Sequence, residues 1–298
     1  MSQAKIECRA TAAWSGWTET GSRRVALGSS AAGKCRVDPW ERTLDVESFP
    51  GRWDPRRSLP HQLEPLPLVA TAALERAGWL PAPSGQVCEG GLVLGCDGGP
   101  LAEVIGFARR VREQTTVAPS GFLYSLPSTG ASVLGLLFGL GDYQSTVVQG
   151  PLSGVQALRH AIDLMALSRL DRVLVAALSV IEGAPGEALD GNGLRLAVAL
   201  CLERSGTNSS SKTPTVALGS EGPGPGQKSE VGEEERELME RLQPLPQPCR
   251  EVGALPLVRV AMRLETARHP SSPQSTWIHQ RVPWLHDERW ISIERKDN

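Results

Sequence analysis

The stretch Ser145–Met165, STVVQGPLSGVQALRHAIDLM, decides how this chain is read. It divides into a short strand, a sharp turn and a long helix. Ser153 is placed as an N-cap, and Val155, Leu158, Ile162 and Met165 recur at the helical period as a buried stripe. A strand turning sharply into a helix is a place where enzymes display a nucleophile. Here the turn consists of Gly150, Pro151 and Leu152, none of which carries a nucleophilic side chain.

The neighbouring segments extend the same pattern. PLPLVATAALERAGW predicts a helix ending at Gly78, a residue suited to a left-handed C-cap. GLVLGC, residues 91–96, is a continuous apolar run between glycines and reads as a buried strand. PLAEVIGFARRVREQ predicts an amphipathic helix with Leu101, Val104, Ile105, Ala108 and Val111 on one face. A small-residue helix is expected from Thr129 to Phe138, closed by Gly139 and Gly141. DRVLVAALSV, residues 171–180, is apolar on both faces, as a central strand covered by helices on both sides must be. GNGLRLAVALCLE, residues 191–203, alternates as a further strand.

The first 60 residues are poorly defined. Ile6–Ala13 is read as an edge strand, and the Gly-, Pro-, Arg- and Trp-rich stretch that follows as mostly loop. Residues 205–236 shift to Gly, Ser and Pro and then to acidic residues. A flexible linker or disordered loop is expected there, because so little apolar surface cannot offset the entropy of ordering. Residues 237–298 then supply a short helix–strand segment, VGALPLVRVAMRLETA and RWISIERK, packing on the domain formed by 1–204. Strands alternating with helices imply parallel pairing and an α/β class.

Composition excludes several functions. The 31 basic and 33 acidic residues leave a formal charge of −2, so no basic excess is available to displace counterions from a nucleic acid. The six cysteines form no CxxC pair and no Cys/His cluster of zinc type, and no metal or cofactor is expected. Their apolar surroundings suit reduced thiols. The N-terminus lacks a signal-peptide pattern, and no apolar run reaches the ~18 residues of a membrane helix. A cytoplasmic protein is the expectation.

Other motifs read as structure. GSSAAGKC, residues 28–35, fits GxxxxGK but ends in cysteine where magnesium needs a hydroxyl. No convincing strand precedes it, and a proline stands where the helix should run, so it reads as a surface loop. No histidine pair has HExxH spacing. His160 lies near the polar side of the helix after the turn and reads as solvent-facing. Ser153 and His160 are seven residues apart, or ~10 Å by helix rise, too far for a direct hydrogen bond. The eight tryptophans cluster toward both ends and read as bulky packing or interface anchors.

From about Pro65 to Glu203 these elements together resemble the N-terminal half of β-ketoacyl synthases. LVATAALERAGW is similar to the helix before their second strand, and GLVLGCDGGPLAEV to their glycine-rich strand and turn. LYSLPSTGASVLGLLFGLGDYQSTVVQGPLSGVQALRHAIDLM is similar to their passage from Leu-Pro-Asn through a small-residue helix, FGLxG, a strand and the nucleophile elbow. The resemblance implies a thiolase-like layered fold with a mostly complete N-terminal half and a reduced C-terminal half.

It also implies lost chemistry. Gly150, Pro151, Leu152, Ser153 and Gly154 fall in register with the family's elbow, Pro151 at the cysteine. CREVGALPLVRVAMRLE resembles a late family helix, with Arg250 where a catalytic histidine would stand. No catalytic residue is therefore assigned. Chain-length-factor subunits of the family also lack the cysteine and pair with an active ketosynthase, and short chains of this kind resemble accessory proteins of aryl-polyene pathways. By this resemblance a ketosynthase and an acyl carrier protein are the expected partners, a homodimer being the other arrangement. Tyr143, Ser145 and Val147 are interface candidates, and Leu126, Phe138 and Leu152 acyl-cavity candidates. A stand-alone acyl-chain or acyl-CoA binder, and an acyltransferase with its site relocated to Ser153 and His160, are the competing readings.

Overall fold

A computed structural model describes residues 6–17, 24–27, 61–63, 65–80, 89–98, 100–114, 116–167, 169–181, 194–204, 215–219, 254–267, 275–282 and 287–294. Its strands are β1 (Ile6–Trp17), β2 (Arg24–Leu27), β3 (Gly91–Asp97), β4 (Tyr143–Val147), β5 (Arg172–Ile181), β6 (Leu194–Arg204), β7 (Thr215–Gly219), β8 (Ser275–Val282) and β9 (Asp287–Glu294). Its helices are α1 (Pro65–Arg76), α2 (Leu101–Arg112), α3 (Pro119–Tyr124), α4 (Thr129–Phe138), α5 (Ser153–Ala166) and α6 (Leu255–Ala267). The strands form one nine-stranded sheet in the order β4-β3-β5-β6-β1-β7-β9-β8, with β2 paired to β1.

β3 runs parallel to both β4 and β5. β6 is antiparallel to β5 and to β1, which corrects the expectation of parallel pairing throughout. Only 12 residues separate β5 from β6, and an antiparallel return can be made with a far shorter connection than a helical crossover. β1 is likewise no edge strand: β6 lies on one side of it, and β2 and β7 on the other. Five residues of the expected linker, Thr215–Gly219, are β7 and pair with β9. A strand also precedes the GxxxxGK stretch, since β2 ends at Leu27. The stretch itself lies outside the described residues.

The two-residue period of the strands sorts the core into two layers. Val173, Val175 and Ala177 of β5 and Leu196, Val198 and Leu200 of β6 point to one side, where α5 and α6 cover them. Leu174, Ala176 and Leu178, with Ala197, Ala199 and Cys201, point to the other, where α1 and α4 lie. Both strands are thus buried on both faces, and the apparent alternation in β6 is between large and small apolar residues. α6 forms despite Pro256, which occupies the first turn, where the missing N–H costs nothing. Leu257, Val258, Val260, Ala261 and Leu264 are all buried, because α6 packs on β6 and β1 and also on β8 and β9.

α5 behaves differently. Val155, Leu158 and Met165 are fully buried and Ile162 packs partly against them, as its stripe predicts. Its outward residues Arg159 and Asp163 form an exposed i,i+4 pair at 3.8 Å. α2 contradicts the simplest expectation for an amphipathic helix. Leu101 is 56% exposed, Ile105 44% and Val111 52%, and α2 packs chiefly on α3, through Phe107 and Phe122.

Candidate functional site: a strand–turn–helix elbow without a nucleophile

The elbow is built where β4 ends. After Val147 the chain turns through Gly150–Leu152, a single 3-10 turn, and enters α5 at Ser153. Gly150 adopts φ +53, a left-handed value that costs a glycine little. The helix start presses against β3 so closely that a Cβ on Gly95 would lie 2.5 Å from the Ser153 carbonyl oxygen and 2.9 Å from the Gly154 Cα. Gly95 stands opposite Val147 in β4 and Ala177 in β5. The turn is therefore set directly over the parallel strands, the position from which such an elbow presents a side chain.

Ser153 holds this arrangement. Its side chain is completely buried. The hydroxyl donates to the Cys96 carbonyl of β3 at 3.0 Å and accepts from the Gln149 amide at 2.9 Å. The expected N-cap role is corrected: Leu152 is the N-cap residue, with no side-chain cap bond. Ser153 instead ties the turn to the sheet. A hydroxyl with its proton committed to a buried carbonyl is poorly placed to attack a substrate.

Pro151, half-buried in the turn, brings neither a nucleophilic atom nor a backbone N–H. The next amide, that of Leu152, donates to the Gln149 carbonyl at 3.2 Å within the turn. A tetrahedral intermediate needs donors aimed at its developing oxyanion. Neither Pro151 nor Leu152 supplies a free one.

His160 is also corrected. It is half-buried, and its Nε2 lies 2.7 Å from the Tyr143 hydroxyl, with the two rings 5.6 Å apart. The bond joins α5 to the first residue of β4, and Ser153 and His160 are each engaged with other partners. Arg250 lies outside the described residues. Among the described residues no group of His, Cys, Asp and Glu is arranged to hold a metal.

A residue missed in the sequence completes this end of the sheet. Ser179 is the one hydroxyl in the apolar run of β5 and is buried. Its Oγ accepts from the Ala254 amide at 2.7 Å, fixing the entry to α6. A lone hydroxyl inside an otherwise apolar strand was the available signal, since burying it without a partner is unfavourable.

The interface candidates Tyr143, Ser145 and Val147 sit on β4, which is the terminal strand of the sheet and pairs with β3 alone among the described residues. All three are half-buried. Val148, directly after β4, is 56% exposed, and Leu136 of α4 is 67% exposed. The acyl-cavity candidates are dispersed over different elements. Phe138 is buried in the layer under α1 and α4, Leu152 is buried in the turn, and Leu126 is half-buried between α3 and α4.

No protein-family model matches the chain, and no curated protein matches it. Solved structures do. A β-ketoacyl synthase from Burkholderia phymatum STM815 aligns with a TM-score of 0.57 at 12% identity, over 99% of this chain and 100% of that one. The ketosynthase ApeO in complex with its chain length factor ApeC, from Xenorhabdus doucetiae, gives 0.51 at 16% identity, over 98% and 99%. The ishigamide ketosynthase/chain length factor gives 0.52 at 15% identity, over 83% and 85%. The chain thus has the thiolase-like fold of the ketosynthases.

Proposed function

We propose that this chain is a catalytically inactive ketosynthase-like subunit. In this reading it pairs with an active ketosynthase, and meets its acyl carrier protein, during cytoplasmic synthesis of a fatty-acid, polyketide or aryl-polyene-type product. The observation that carries the proposal is the elbow. Its strand, turn and helix are complete, yet the position given to the nucleophile is Pro151, and the adjacent amide is consumed inside the turn. The architecture is kept where the chemistry has nowhere to occur.

The subunit role is supported by the β4 edge. Natural edge strands are commonly shielded by charge, proline or a bulge. β4 reads Tyr-Gln-Ser-Thr-Val, without charge or proline, and pairs with β3 in unbroken register. Val148, the residue that follows β4, is apolar and exposed, as is Leu136 of α4. Solved structures of similar fold include ketosynthases bound to a chain length factor. By contrast α5 turns the charged pair Arg159 and Asp163 outward.

The test is co-expression with a ketosynthase and acyl carrier protein encoded nearby, followed by native mass measurement and incubation with a radiolabelled acyl thioester. A 1:1 complex with no label on this chain is expected. A monomer or homodimer that ignores both proteins overturns the subunit role, and covalent label mapped to any of its residues overturns inactivity.

A further inference from the structure

We draw no further inference here: the strongest candidate, the exposed apolar face of the α2–α3 helix pair formed by Leu101, Ile105, Val111, Phe122 and Leu123, is an unpartnered helix face, and nothing in the structure shows what covers it.

Discussion

Replacing Gly95 by alanine tests the elbow geometry most directly. The new Cβ would stand 2.5 Å from the Ser153 carbonyl oxygen and 2.7 Å from its carbonyl carbon, both backbone atoms. Ordinary contact begins at 3.4 Å, so the start of α5 must retreat by about 0.9 Å, well within the displacements that overpacking forces on a core. A retreat directed away from β3 stretches the 3.0 Å bond from Ser153 to the Cys96 carbonyl to about 3.9 Å, beyond hydrogen-bond range. Overpacking of a close-packed site costs about 1–3 kcal/mol, and a buried Ser153 hydroxyl that loses its acceptor adds ~1–3 kcal/mol. The expected loss is ~2–6 kcal/mol, read as a drop in Tm of roughly 3–10 °C for a chain of this size. Circular dichroism melts of the purified chain measure it. Gly106→Ala is the matched control, because that glycine lies in α2 with nothing within 4 Å of its would-be Cβ. It should leave Tm unchanged or raise it slightly. A Gly95→Ala chain melting within 2 °C of wild type (on the order of 1 kcal/mol or less) would show that α5 does not lie against β3 as described.

Ser153→Ala removes the tie between turn and sheet, with both hydrogen bonds of the hydroxyl, and should cost ~1–3 kcal/mol in chemical denaturation. Ser179→Ala leaves the buried Ala254 amide without its acceptor; a comparable loss is expected, with amide exchange accelerating first at the start of α6. Leu136→Glu and Val148→Glu change side chains that are already exposed, so Tm should hold within ~1 °C while affinity for a ketosynthase falls at least roughly tenfold. Unaltered affinity in titration calorimetry for both would remove that surface from the interface. Wild-type chain incubated with an acyl thioester should show no mass increment by intact mass spectrometry, and Ser153→Ala should look the same.

Much of the fold was legible because local periodicity and local burial agree. Thr129–Phe138 forms the helix its small apolar residues predict, and Gly139 ends it at φ +68, a value glycine adopts readily. The stripe of α5 is buried as spaced. The double-faced run of β5 is central because only a strand covered on both sides can keep every residue apolar. That the turn Gly150–Leu152 carries no nucleophilic side chain was legible too, since residue type alone decides it.

What the chain could not disclose locally are relations between distant segments. β1 and β6 are nearly 190 residues apart in sequence, yet Ile6 pairs with Arg204, and the interior place of β1 depends on that pairing rather than on its own composition. The same holds for β7, whose five residues in a Gly/Ser/Pro-rich stretch become a strand by bonding to β9. Ser153 has the residue type and position of an N-cap, but its hydroxyl is drawn to Cys96, 57 residues away, because the close approach at Gly95 brings that carbonyl within reach. His160 reads as solvent-facing on its helix until β4 delivers Tyr143 to it. α2 carries a periodicity that promises burial and remains exposed, since a repeating apolar face specifies only that something can cover it. Residue type and spacing thus determined most of the helices and strands between α1 and β6 and the side chains that the turn carries. Tertiary contact alone decided strand neighbours and hydrogen-bond partners, because those depend on groups that sequence distance does not relate.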